Sequence, residues 1–130
     1  MSIQVIPPHR TTDKHGSGHY GASRGSRKHN GVDIACYPRS MVLSHVRGTV
    51  TKLGYPYADN LNYRYVEVTD DNSLRHRFFY VNPIVRLNDE VEVGDQLGMT
   101  QELMYEGITQ HFHYEIKNNR GIYLDPNDYL

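Results

Sequence analysis

From Gly31 onward the sequence is written in short runs of β-branched and aromatic residues, each soon stopped by Gly, Asn, Asp or Pro. This punctuation constrains the fold more than any other feature. A chain interrupted so often has no room for a long amphipathic helix, whereas Val, Ile, Thr, Tyr and Phe pack well on a pleated, half-buried surface. The runs predict strands over Val32–Ala35, Met41–Val46, Thr49–Leu53, Tyr63–Thr69, Leu74–Val81, Glu90–Val93 and His111–Lys117, with patchy period-two alternation. No segment shows a long helical stripe, and Gln101–Tyr105, closely bracketed by Gly98 and Gly107, has space for one helical turn. Asp70-Asp71-Asn72 reads as a hairpin turn and Val93-Gly94-Asp95 as a second turn. The expected fold is mainly β, an antiparallel β-sheet domain.

At 130 residues the chain fits a single domain spanning 1–130. Residues 1–30 read as a largely N-terminal loop and 31–130 as the β core. Within the first part, Thr11–Asn30 is rich in Gly, Ser, Arg, Lys and His and nearly devoid of apolar residues, the texture of a long surface loop. Fourteen Lys and Arg against fifteen Asp and Glu leave a formal charge of -1, which removes the basic footprint of a nucleic-acid binder. Cys36 is the single cysteine, so neither an internal disulfide nor an all-thiolate metal site is available, and beside Ile34 and Ala35 it reads as a small buried residue. No apolar run approaches the roughly 18 residues of a membrane span. The opening MSIQVIPPHR has neither the basic start nor the long apolar region of an export signal. Eight His and eleven Tyr stand out, because histidine is the commonest metal ligand and tyrosine lines wet grooves.

Two segments hold the chemistry. His111-Phe112-His113-Tyr114-Glu115-Ile116 alternates strictly, so on a strand His111, His113 and Glu115 share one face and Phe112, Tyr114 and Ile116 the other. Spacing alone leaves two readings open, a solvated polar face or a pair of imidazoles aimed at a ligand. The second segment is His29-Asn30-Gly31-Val32-Asp33-Ile34, in which Gly31 and β-branched Val32 argue for a turn entering a strand, with Asp33 opposite the core-facing Val32 and Ile34. Together they offer two neutral imidazoles and a carboxylate, the donor set of a catalytic zinc that keeps its fourth position for water.

These motifs, in this order, resemble those of the lysostaphin-type M23 zinc peptidases, the LytM-like domains. That family's pattern is His-x-Gly-x-Asp-Ile-Ala followed, several strands later, by His-Leu-His-Phe-Glu. Here they stand as His29-Asn30-Gly31-Val32-Asp33-Ile34-Ala35 and His111-Phe112-His113-Tyr114-Glu115. Gly48-Thr49-Val50, the turn Val91-Glu92-Val93-Gly94-Asp95-Gln96-Leu97-Gly98 and the closing Leu124-Asp125-Pro126 with Tyr129-Leu130 agree as well, so the resemblance spans about Tyr20 to Leu130. It implies an antiparallel sheet with a groove, of the duplicated-hybrid-motif type. It also implies one zinc held by His29, Asp33 and His113, with His111 as a catalytic residue beside the metal. The implied activity is zinc-dependent endopeptidase cleavage of peptide stems or cross-bridges in bacterial peptidoglycan.

The sequence departs from that pattern in two places. The family's second catalytic histidine lies in a Tyr-x-His-Leu segment, and the matching stretch is Tyr80-Val81-Asn82-Pro83, so Asn82 stands where that histidine is expected. An amide can donate to an oxyanion but cannot exchange a proton near neutral pH. His76 is about 20 Å upstream along a strand, too far to compensate, and reads as a surface or packing residue. The loop Met99–Gln110 is bulkier than the family's Gly-rich segment, which implies an altered groove. Tyr80 and Arg27 are candidates for substrate contact. Arg24 and Lys28 join Arg27 as candidates for substrate carboxylates, against the commoner reading of all three as a solvated basic loop; His15 and His19 offer imidazoles that shield the zinc, form a second site or are simply solvated, and Tyr20, like Tyr80, is a groove candidate by position only. The alternative reading is a catalytically weak or inactive M23-like module that binds, scaffolds or activates another wall hydrolase. With no export signal in view, the expectation is a chain made in the cytoplasm that reaches the wall or periplasm at lysis or as part of a phage particle.

Overall fold

The computed structural model describes residues 30–129 in full, together with the backbone of three short strands before them. In chain order the strands are β1 (Ser2–Ile3), β2 (Ser23–Arg24), β3 (Arg27–Lys28), β4 (Val32–Ala35), β5 (Met41–Leu43), β6 (Gly48–Gly54) and β7 (Tyr65–Asp70). They continue as β8 (Arg75–Phe79), β9 (Val81–Pro83), β10 (Glu90–Val91), β11 (Gln96–Thr100), β12 (His111–Lys117) and β13 (Tyr123–Leu124), before a 3₁₀ turn at Pro126–Asp128. The large sheet runs β10-β6-β7-β8-β12-β13, with β4 also paired to β12; the small sheet runs β1-β5-β11-β9, and β2 pairs β3. Pairing is antiparallel except between β1 and β5.

Alternation sorts the large sheet into two faces. Val32 and Ile34 of β4, Val66 and Val68 of β7, Phe78 of β8, and Phe112, Tyr114 and Ile116 of β12 turn inward. They join Val42, Val81 and Leu97 of the small sheet in one buried cluster, so the two sheets share a core. The opposite face carries rows set by register. His113 lies across from Asp33 on one side and Phe79 on the other, while Glu115 opposes Arg77, which opposes Glu67.

The predicted strands Val32–Ala35 and His111–Lys117 match β4 and β12 to the residue. The run read as one strand over Leu74–Val81 is two. At Tyr80 the backbone turns left-handed, φ 66°, and the chain leaves the large sheet to enter the small one as β9. The run Met41–Val46 ends at Leu43, where Ser44 turns the chain by bonding its hydroxyl to the Val46 carbonyl. Strand β11, which contains Gly98, has no counterpart among the predicted strands. That glycine exists for close packing, since a Cβ there would sit 2.2 Å from the Asn82 carbonyl oxygen. The helical turn expected over Gln101–Tyr105 is absent, and the Gln110 side chain instead clamps Leu103 through both its backbone N–H and its carbonyl. Both turns form as expected: Asp70 Oδ1 accepts from the Asn72 and Leu74 amides, and Gly94 supplies φ 94°. Within the stretch read as loop, β2 and β3 make a short hairpin.

Candidate active site

The site is assembled where β4 meets β12. Gly31 enters this junction so tightly that a Cβ would lie 2.2 Å from the Tyr114 carbonyl oxygen and 2.9 Å from His113 Cε1, so no other residue fits that approach. The register then sets Asp33 against His113. Asp33 Oδ1 lies 2.9 Å from His113 Nδ1, and Asp33 Oδ2 lies 3.5 Å from His111 Nε2. All three side chains are nearly closed to solvent.

His113 is gripped at both nitrogens, for its Nε2 lies 2.9 Å from Glu115 Oε1. Carboxylates only accept, so this geometry places a proton on each ring nitrogen. Burial alone pushes the pKa of His113 down, but the hydrogen bonds and charges of Asp33 and Glu115 more than offset it and hold it up at about 9. Phe79 packs edge-on against the ring at 5.2 Å. Behind Glu115, Arg77 Nη1 stands 3.8 Å from Oε2, while its Nε donates to Glu67 Oε2 at 2.7 Å.

His111 is held differently. Its Nδ1 donates to the Thr109 carbonyl at 2.6 Å, which leaves Nε2 as the atom turned toward Asp33. Tyr80 sets its ring edge-to-face against His111 at 5.7 Å, and its hydroxyl pairs with that of Tyr57 at 2.5 Å. Burial, with contributions from Tyr57 and from the charge of Asp33, pushes the Tyr80 phenol well above its usual range, so it remains a proton-bearing donor. Its left-handed backbone is fixed by amides 80 and 81, which both donate to the Arg64 carbonyl, and by the Gln101 amide, which donates to the Tyr80 carbonyl.

Asp33, His111, His113 and Tyr80 are therefore brought together. Asn82 is exposed on β9, opposite Met99, and lines an open groove of about 610 Å³ with Arg39, Asn60, Asn62, Tyr63, Gln101 and Met104 among others; Asp33, His111 and His113 are not in that lining. Tyr63 connects the two regions, its ring lying 5.6 Å from that of Tyr80. His29, His15, His19 and Tyr20 lie outside the described residues, and Arg24, Arg27 and Lys28 are described only as backbone of β2 and β3.

His76 is a packing residue. Buried on the core face, it bonds Asp70 Oδ2 through Nε2 at 2.8 Å and the Tyr114 hydroxyl through Nδ1 at 2.7 Å. The same hydroxyl meets His45 Nε2 at 2.9 Å. Sequence reasoning missed this relay, and it missed the grip of Glu115 on His113. The second had a signal, since Glu115 shares a face with both histidines; His45, in a connection between strands, had none.

Do these residues suit a divalent cation? Asp33 and His113 would hold such a cation through a carboxylate and an imidazole nitrogen, while the His113 Nε2–H would go on donating to Glu115, the outer partner that metal-ligating histidines usually have. The donor set fits. Among the described residues no three His, Cys, Asp or Glu side chains are grouped to hold a metal, and the third ligand implied by the motif is His29.

Comparisons with known proteins bear on the family and the fold. A family model described as Peptidase family M23 matches residues 27–126. The chain is 33% identical over 128 residues to leukocyte cell-derived chemotaxin-2 of Mus musculus, covering 93% of this chain and 78% of that protein. It is 31% identical over 108 residues to the Bos taurus protein of the same name, covering 82% and 71%. Its fold is similar to the catalytic domain of the prophage-encoded M23 protein EnpA of Enterococcus faecalis, TM-score 0.71 at 19% identity, covering 98% of this chain and 96% of that one. It is also similar to the lysostaphin catalytic domain of Staphylococcus simulans, TM-score 0.67 at 18% identity, covering 94% and 98%.

Proposed function

The chain belongs to peptidase family M23, and on that premise we propose that it is a zinc-dependent endopeptidase acting on the peptide stems or cross-bridges of bacterial peptidoglycan. One observation carries the reading: Asp33 and His113 meet at 2.9 Å with Glu115 on the far ring nitrogen, and His111 stands beside them on the same strand face. The family typically binds zinc. In this chain His29, Asp33 and His113 would hold it.

When bound, zinc supplies Lewis acidity toward the scissile carbonyl and an attacking water. The protein's own groups do the rest. His111, anchored through Nδ1 to Thr109, presents Nε2 toward the reacting atoms and is placed to accept a proton there and return it to the leaving amine. The Tyr80 hydroxyl, kept protonated, is available to donate to a developing oxyanion, and the Tyr57 hydroxyl orients it. Asn82 contributes an amide to the adjoining groove and moves no proton. Arg27, with the basic loop, is proposed to meet substrate carboxylates. The proposed site of action is the wall or periplasm, reached by lysis-linked release or on a phage particle.

A second reading has its own support. The residue at the family's second histidine position is Asn82, exposed and lining another groove, and the chain is a third identical to proteins named as chemotaxins. Both favour a metal-holding module whose role is binding rather than turnover. Mass spectrometry of purified walls incubated with zinc-loaded protein, beside a His113→Ala control, separates the two. New peptide termini dependent on His113 establish the endopeptidase and name its bond. Intact walls with one zinc per chain establish the binding module.

A further inference from the structure

The row behind His113 is more elaborate than sheet packing requires. Glu115, Arg77 and Glu67 oppose one another across β12, β8 and β7, so two buried carboxylates share one guanidinium on a face where apolar residues would pack at less cost. Arg77 is committed to Glu67 by the 2.7 Å bond from Nε, and Glu67 takes a second bond from the Thr51 hydroxyl at 2.8 Å, delivered by the bulge between Val50 and Lys52. The guanidinium also lies over Tyr65, 5.5 Å from the ring centroid, and Tyr65 stacks on Phe79, which packs against His113. Glu115 is thus backed by a fixed cation at 3.8 Å, yet its Oε2 accepts no hydrogen bond. All of its hydrogen bonding is spent through Oε1 on His113 Nε2. An isolated structural carboxylate does not need such backing; a carboxylate that must hold one imidazole in one orientation does.

We propose that Glu115 is a positioning residue of the metal centre. It fixes the His113 ring so that Nδ1 is the ligating atom, with Arg77 holding Glu115 in place. The inference rests on the zinc reading above and deepens it. A carboxylate accepting from Nε2–H raises the electron density at Nδ1 and freezes ring rotation, so its effect is read in metal affinity.

The test is a zinc dissociation constant for full-length protein, measured by competition with a chromophoric chelator, for wild type, Glu115→Ala and Glu115→Gln. Nitrogen-15 spectra of the His113 ring in each zinc-loaded protein accompany it. Glu115→Ala is expected to weaken zinc binding about 10–100-fold and to lose the protected Nε2–H resonance. Glu115→Gln, which keeps shape and an acceptor without the charge, is expected to fall between wild type and Ala and to retain that resonance; it carries the test if the alanine variant does not fold. A merely structural Glu115 would lower thermal stability and leave zinc affinity and the ring resonances unchanged, and that result overturns the proposal. Wall cleavage is a separate readout: a wild-type chain that binds zinc and cuts nothing removes the endopeptidase reading and leaves the positioning role intact. A wild-type chain that takes up no zinc overturns both.

Discussion

Tyr114→Phe removes one oxygen from the core and tests the buried relay on the inner face of β12. The direction of every bond in that relay follows from one end. The Asp70 carboxylate can only accept, so His76 Nε2 carries a proton and His76 Nδ1 a lone pair; the Tyr114 hydroxyl must then donate to Nδ1 and its oxygen accept from His45 Nε2–H. His45 Nδ1, buried and without a partner, ends the chain as a bare lone pair. In Tyr114→Phe the ring stays and so does its packing on Phe78 at 5.2 Å, but the buried His76 Nδ1 and the part-buried His45 Nε2–H both lose their partner. Each stranded group costs about 1–3 kcal/mol, partly offset by no longer burying the hydroxyl, so a net loss of about 2–4 kcal/mol is expected. Against a typical total of about 5–15 kcal/mol this is large. Urea unfolding at pH 7 reads it as a lower midpoint with unchanged slope. Repeating the substitution in a His45→Leu background should recover part of the loss, with a coupling above about 0.5 kcal/mol. Zinc affinity should not move, because the hydroxyl faces away from Asp33. A loss below about 0.5 kcal/mol, or strict additivity with His45→Leu, would falsify the relay.

Three further outcomes follow from the same geometry. His113→Ala is expected to abolish zinc binding and activity together, whereas His111→Ala keeps zinc and loses turnover; metal analysis beside wall cleavage checks both, and equal metal loss would reverse the role assignment. Gly31→Ala must push β4 and β12 apart by more than 1 Å at the Tyr114 carbonyl, so a loss of about 1–3 kcal/mol is expected with weakened zinc binding, measured by urea midpoint and chelator competition. Stability should also fall on mild acidification. Burial, then the neighbouring His76, lowers the pKa of His45 from 6.5 to about 4, and burial lowers that of His76. Because both histidines bind protons more readily unfolded than folded, stability is full above about pH 6.5 and is lost as pH falls from there toward 4, by about 3 kcal/mol for His45 alone. His45→Gln should flatten urea midpoints between pH 7 and 5; an unchanged slope refutes the assignment.

How much of this was legible in the sequence depends on whether periodicity or backbone geometry decided the matter. The two strands that build the site were readable because alternation is strict in β12 and because Gly31 with β-branched Val32 signals a turn entering β4; that Gly31 also serves a close approach to β12 was not readable. The break at Tyr80 was hidden inside Phe78-Phe79-Tyr80-Val81, an unbroken run of good strand formers. What interrupts it is a left-handed φ held by the Arg64 carbonyl, a tertiary contact with no local signature. That break matters for function, since it lays Tyr80 against His111 and carries Asn82 onto the small sheet and into the other groove. His76 had a readable face, because it alternates with Arg75 and Arg77. Its partner His45 arrives from a connection whose path no pattern predicts.

The placement of chemistry on β12 rather than on a rim loop follows from register. A slip of one residue exchanges the two faces of a strand, and here it would drive His111, His113 and Glu115 into the core and expose Phe112, Tyr114 and Ile116. Such a slip is opposed from both edges at once, by β4 with Gly31 wedged against the Tyr114 carbonyl and by β8 with Arg77 set against Glu115. The relay from Asp70 to His45 adds a lock from beneath, because Tyr114 reaches both histidines only in the present register. The face that carries Asp33, His111 and His113 is therefore held by interactions made behind and beneath it. The rim can change more freely: Gln101 ties residues 101 and 62–64 together through side-chain bonds to the Arg64 amide and the Asn62 carbonyl, and Tyr63 anchors the Met104 amide. Exchanging those clamps would move the groove walls without disturbing Asp33 or His113, so on the proposed peptidase reading a change of substrate would cost least there.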